Sequence, residues 1–144
     1  MTSIIFAKHA QHVVLIHFPI ALFLTAVALD YYAQWAKDKG VASAARLNLL
    51  LAAVTTVPVL ATGLAAWAWA LEGQRLKGTL LMHLVLGIAS SVLICVTYWI
   101  HWRARRSPTG TLPTYRLPLE AVGVLVVALT GHLGGILSGV NATG

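Results

Sequence analysis

Charged side chains are scarce in this sequence. Only 10% of its 144 residues are charged, whereas 58% are hydrophobic, and a typical soluble domain has roughly 25% charged residues. A soluble fold would therefore have too little polar surface to cover its core. The apolar stretches between the charged clusters are about 20 residues long, which is enough for a helix to cross a bilayer. The composition predicts an integral membrane protein of one domain.

Cysteine and acidic residues are almost absent. Cys95 is the single cysteine, so a disulfide framework, a cysteine-based metal site and the Cys-x-x-Cys-His attachment of c-type haem are all excluded. There are only four acidic residues, and the sequence shows no paired carboxylates, no phosphate-binding glycine loop and no nucleophile motif. Whether the protein is an enzyme is left open, but nothing favours catalysis by this chain alone.

Four apolar segments predict an all-α, up-down bundle of four transmembrane helices, at about residues 13–35, 47–71, 79–102 and 117–140. The first and third loops hold most basic residues, and such loops face the cytoplasm. We therefore expect both termini on the periplasmic side of a bacterial inner membrane. The net charge of +6 is then an orientation signal, and no nucleic-acid partner is predicted. The basic residues of the first and third loops are Lys37, Lys39, Arg46, Arg103, Arg105, Arg106 and Arg116, against Lys8, Arg75 and Lys77 on the other side.

Four of the six histidines fall in the outer half of these predicted helices. At 1.5 Å per residue, His17, His83 and His132 lie at similar depths, and His12 lies close by. Ionisable residues inside a membrane are expensive and usually functional. The predicted metal ligands are His17, His83 and His132, with His12 in reserve.

Small residues follow two of these histidines on the same helix face. Gly87 lies four residues after His83, and Gly135 lies three after His132, which leaves room for a flat group. A b-type haem with two axial imidazoles fits, and such ligation suits electron transfer. Two histidines suffice for one haem, and all four would allow two. Arg75 and Lys77, in the outer loop, either pair with the haem carboxylates or form a solvated turn.

Three remaining ionisable residues receive separate predictions. Asp30, beside Tyr31 and Tyr32, is expected at the membrane interface as a solvated or capped carboxylate. His101 is expected to be interfacial and without a ligand, because it lies among aromatic residues next to an arginine cluster. Glu120 is expected in the first turn of the fourth helix, where the helix dipole favours a carboxylate.

The motifs resemble a family of small bacterial membrane proteins, domain of unknown function 2231. The resemblance rests on His12-x-x-x-x-His17-Phe-Pro-Ile-Ala-Leu, on the residues 61–64, on His83 and on Thr130-Gly-His-Leu-Gly-Gly, and it covers nearly the whole chain. It implies a four-helix inner-membrane fold with histidines near one face, often suspected of redox roles. Family members commonly end in a further histidine element, for which residues 136–140 offer no match.

The function predicted from the sequence is electron transfer. A b-type cytochrome-like subunit would pass electrons between the quinone pool or a larger membrane redox complex and a periplasmic partner such as a cytochrome c. Two alternatives remain open. The protein is a cofactor-free scaffold or assembly subunit whose histidines only join helices, or it is a small copper-handling membrane protein that uses the same histidines.

Overall fold

The computed structural model describes residues 10–69 and 71–139, and every regular element in that part of the chain is an α-helix. The helices are α1 (Ala10–Leu15), α2 (His17–Ala36), α3 (Lys39–Trp69), α4 (Gly78–Arg106) and α5 (Arg116–Leu137). Helices α1 and α2 together form one apolar segment, Gln11–Ala36, and α3, α4 and α5 form the other three segments that are long and apolar enough to cross a membrane. The predicted all-α protein with four transmembrane helices is confirmed.

The first transmembrane segment is interrupted at Ile16, between α1 and α2. Pro19 explains the break, because proline has no N–H to donate to the Leu15 carbonyl and its ring clashes with that carbonyl. The Ile16 amide still donates to the His12 carbonyl at 3.0 Å, so α1 closes its last turn before the interruption. The break therefore places His12 and His17 on different helices.

The connection between α2 and α3 is much shorter than the predicted loop at residues 36–46. Lys37 adopts a left-handed conformation (φ 56°), which ends α2. The Asp38 carboxylate then accepts hydrogen bonds from the amides of Gly40 (2.8 Å) and Val41 (3.1 Å), as a helix N-cap does. The loop prediction is wrong because this cap, followed by several alanines, starts α3 at Lys39, and Arg46 consequently lies within a helix.

The four long helices close into a ring in which α2 packs on α3 and α5, while α4 packs on the same two neighbours. Phe23, Leu49, Ile94 and Val127 form the centre, each at most 3% exposed. The outer surface is also apolar, since side chains such as Val57 are 68% exposed. A soluble protein rarely exposes so much apolar surface, and this surface faces lipid.

The four membrane-spanning segments alternate in direction, so the bundle has two distinct ends. We call the end with the α2–α3 turn and the α4–α5 connection the basic end, and the opposite end, with His12 and His83, the histidine end. The charge distribution predicts that the basic end is cytoplasmic. Two positions used in the sequence-based argument, Lys8 and Val140, lie outside the described residues.

Gly123 allows α5 to approach α2 at the centre of the core. A Cβ atom at this position would lie 2.8 Å from Cζ of Phe23, whose side chain is fully buried. We expect Gly123→Ala to lower the free energy of unfolding by about 1–3 kcal/mol, the usual cost of overpacking. Gly87→Ala is the matched control, because its Cβ would meet only Cγ2 of Thr130 at 3.9 Å.

Denaturant unfolding of the haem-free protein in detergent, followed by circular dichroism, measures both variants. Equal stability of Gly123→Ala and Gly87→Ala would contradict this account of the core.

Candidate functional site

Two histidines from different helices meet at the histidine end. The imidazole rings of His12, on α1, and His83, on α4, have centroids 6.5 Å apart and planes inclined at 81°. Both side chains are half-buried. We call these two residues the histidine pair.

Glycines on the two neighbouring helices make room for the pair. A Cβ at Gly63, on α3, would lie 2.9 Å from Cε1 of His12, and a Cβ at Gly134, on α5, would lie 3.1 Å from Cε1 of His83. Both separations are closer than side chains normally tolerate. Each imidazole therefore packs against a helix backbone, and any residue larger than glycine at that position would displace the ring.

The protonation of His83 follows from its hydrogen bond. Its Nδ1 lies 3.1 Å from the Thr130 carbonyl oxygen, and a carbonyl can only accept, so we assign the proton to Nδ1 and a lone pair to Nε2. Thr130 is held in turn, because its hydroxyl donates to the Val126 carbonyl (2.8 Å) and lies 2.9 Å from the Ser90 hydroxyl. This arrangement fixes the tautomer of His83.

His12 is oriented in a similar way by Thr62. The Thr62 hydroxyl donates to the Pro58 carbonyl at 2.8 Å, so it is an acceptor for Nδ1 of His12, which lies 3.3 Å away. We therefore assign the His12 proton to Nδ1 as well, and both members of the histidine pair keep a lone pair on Nε2.

The structure leaves the other two predicted ligands, His17 and His132, exposed. Arg75 and Lys77, in the α3–α4 connection, are also exposed, and Gly87 and Gly135 are half-buried. Among residues 10–69 and 71–139, no three of the four predicted ligands bring their ring nitrogens together as one metal-binding group. The structure thus pairs His83 with the reserve ligand His12.

A second polar group lies near the basic end and is almost completely buried. The Arg116 side chain donates to the Asp30 carboxylate and to the Gln34 amide oxygen, both at 2.8 Å. His101 Nε2 lies 3.1 Å from Glu120 Oε1. Asp30, His101, Arg116 and Glu120 are each at most 2% exposed, and we call these four residues the buried charge cluster.

Three predictions made for this cluster are wrong. Asp30 is buried against Arg116 instead of being solvated, and His101 is buried against Glu120 instead of lying free at the interface. Glu120 is the fifth residue of α5 and lies beyond its first turn, because that helix begins at Arg116. The sequence did contain a signal for these contacts. Asp30 and Arg116, and likewise His101 and Glu120, fall at matching depths near the same end of the predicted bundle.

Within the buried charge cluster Arg116 compensates the Asp30 carboxylate, whereas Glu120 Oε2 and His101 Nδ1 have no hydrogen-bond partner among the described residues. Asp30, His101 and Glu120 have ligand atoms within 4.8 Å of one another, a spacing that a metal ion would accept, but Arg116 already neutralises Asp30. Such pairs are costly to break once buried. We therefore interpret the cluster as a structural link between α2, α4 and α5, and the histidine pair as the candidate functional site.

The histidine pair and the buried charge cluster both lie within the part of the chain that matches a known family. The model of the family described as "Predicted membrane protein (DUF2231)" matches residues 8–144. No curated protein and no solved structure matches the chain. With four membrane-spanning helices and a family match over nearly its whole length, the chain belongs to the DUF2231 family of predicted membrane proteins, as its motifs had indicated.

Proposed function

We propose that the histidine pair binds a redox-active metal centre, a b-type haem, and that this membrane protein transfers electrons. The observation that carries the proposal is the state of the two imidazoles. With Nδ1 assigned as the donor in both rings, each Nε2 keeps a lone pair, and the ring centroids are 6.5 Å apart. A metal ion can accept a lone pair from each ring.

The hydrogen bonds of the two rings support this proposal. Metal-bound histidines characteristically donate their other N–H to a carbonyl or similar acceptor, as His83 and His12 do. The donor set also suits haem iron, since it consists of two neutral imidazoles from separate helices.

The residues of this chain would bind and orient the group. His12 and His83 would supply the ligand nitrogens, Thr62 and Thr130 would hold the two rings, and Gly63 and Gly134 would provide the space that the rings occupy. A bis-imidazole haem supplies reversible one-electron chemistry with no open position for gas binding. The proposed partners are a periplasmic cytochrome c or a larger membrane redox complex, with the quinone pool as the other electron carrier.

A spectrum combined with metal analysis tests the proposal. The full chain is expressed with added haem precursor and purified in detergent, and its reduced-minus-oxidised spectrum is recorded beside its iron and copper content. We expect a b-type spectrum with one haem per chain. Bound copper without a haem spectrum would overturn the haem proposal and support copper handling. Folded protein with neither haem nor copper would overturn the metal site and favour the scaffold function.

Thr62 provides a more selective test. Thr62→Val keeps the shape of the side chain but removes the acceptor that orients His12, and we expect it to weaken haem binding by about 10–100-fold. Thr55→Val is the matched control, because Thr55 also donates to carbonyls of its own helix, those of Leu51 and Ala52. Haem titration of the two apoproteins measures the difference, and equal affinities would show that Thr62 does not position the ligand.

A further inference from the structure

A groove of about 370 Å³ lies between α3 and α4 at the basic end. It is separate from the histidine pair, because His83 and His101 are 18 residues apart on α4, or about 27 Å along the helix. Its lining combines two arginines with aromatic and aliphatic side chains. The residues that line it include Arg46, Leu47, Leu50, Tyr98, Trp102 and Arg105.

The two arginines of the groove lack a counter-charge among the residues the structure describes. Neither Arg46 nor Arg105 makes an ion pair there within 4.0 Å. The carboxylate whose charge reaches Arg46 is that of Asp30, but Asp30 is already bound by Arg116. Two like charges therefore share one groove, and an anion is the missing component.

An unpaired buried donor points to the same conclusion. Nε of Arg46 has no hydrogen-bond partner although it is shielded from solvent. Buried polar atoms are normally satisfied, so this N–H group indicates a ligand with an acceptor oxygen.

The surroundings identify the source of the anion as the membrane itself. Leu47 is 56% exposed and Leu50 is 36% exposed, so the groove opens on the apolar face of the bundle. Tyr98 and Trp102 are residues typical of the interface at headgroup level. A neutral quinone would leave both arginines uncompensated, and a zwitterionic headgroup would bring its own cation.

We propose that the α3–α4 groove binds the phosphate of an anionic phospholipid, with Arg46 and Arg105 as its cationic ligands. Basic pockets between transmembrane helices recognise such headgroups. The lipid would join α3 to α4 at the basic end, next to the buried charge cluster. This site does not depend on the metal centre proposed at the histidine end.

Native mass spectrometry of the full chain, titrated with phosphatidylglycerol in detergent, tests the site. Each basic residue near a membrane surface contributes about fivefold in affinity. We therefore expect Arg46→Gln and Arg105→Gln each to raise the Kd about fivefold, and the double variant to raise it about 25-fold. Phosphatidylcholine should bind more weakly than phosphatidylglycerol to the unaltered chain.

Arg103→Gln is the matched control, because Arg103 belongs to the same arginine cluster but stacks on Trp99 and does not line the groove. Its Kd should remain unchanged. If Arg103→Gln weakens phosphatidylglycerol binding as much as the groove variants do, the lipid is held by diffuse surface attraction and not by this site. If millimolar inorganic phosphate displaces the lipid, free phosphate is the ligand. A short-chain quinone that competes with phosphatidylglycerol in the unaltered chain, and still binds the double variant, would also overturn the proposal. Because Arg105 is exposed, Arg105→Gln keeps the test valid if Arg46→Gln fails to fold.

Discussion

His83→Ala is expected to abolish haem binding, with a loss in affinity of more than about 100-fold, beyond the cost of losing an outer-shell partner. The substitution removes one of the two nitrogens that would bind the haem iron and leaves His12 as a single ligand. The b-type signal of the reduced-minus-oxidised spectrum should disappear, while circular dichroism shows the helices intact. His12→Ala should have the same effect, because the two rings form one site.

His17→Ala is the matched control for both variants. His17 belongs to the same motif as His12 but is exposed and lies beyond the break at Ile16, so the spectrum should persist at full intensity. His132→Ala then distinguishes the histidine pair from the ligand set predicted from the sequence, which was His17, His83 and His132. Loss of the signal in His17→Ala or His132→Ala, with retention in His12→Ala, would contradict the histidine pair.

Arg116→Met should lower the free energy of unfolding by about 3–5 kcal/mol, the usual cost of removing one partner from a buried ion pair. The substitution keeps much of the side-chain volume but leaves the Asp30 carboxylate, 2% exposed, without its cation. The Gln34 amide oxygen would lose its donor as well. Denaturant unfolding in detergent measures the effect.

A double-mutant cycle separates the ion pair from simple packing loss. Asp30→Asn combined with Arg116→Met should destabilise the protein less than the sum of the two single variants, because neither partner is then left as an unpaired buried charge. Arg103→Met is the control, since Arg103 is an exposed arginine at the same end that does not line the groove, and it should change stability by less than about 0.5 kcal/mol. Additive single effects would show that Asp30 and Arg116 do not act as a pair.

The helices could be predicted because their cause is local. Apolar runs of membrane-spanning length are visible in composition alone, and Pro19 breaks its helix through its own ring and missing N–H. The start of α3 escaped prediction for a different reason. Lys39 and Gly40 read as loop residues, and only the Asp38 side chain, folded back onto two amides, makes them the first turn of a helix.

The ligand pair could not be predicted with the same means. A membrane helix is apolar on every face, so its hydrophobic pattern does not reveal which side points inward. The sequence therefore predicts the depth of a residue in the membrane, but it does not predict how the helix is rotated about its axis. His17 and His132 have suitable depths but are exposed, whereas His12 turns toward His83 because Gly63 and Gly134 leave space for both rings.

The sequence by itself determined that this protein is a four-helix membrane bundle with histidines near one end and basic residues at the other, because length, apolarity and charge act residue by residue along the chain. Only the tertiary structure decided that His12 meets His83, that Asp30 pairs with Arg116, and that His101 pairs with Glu120. These contacts join residues on different helices, and their formation depends on how each helix is rotated when its small residues pack against its neighbours.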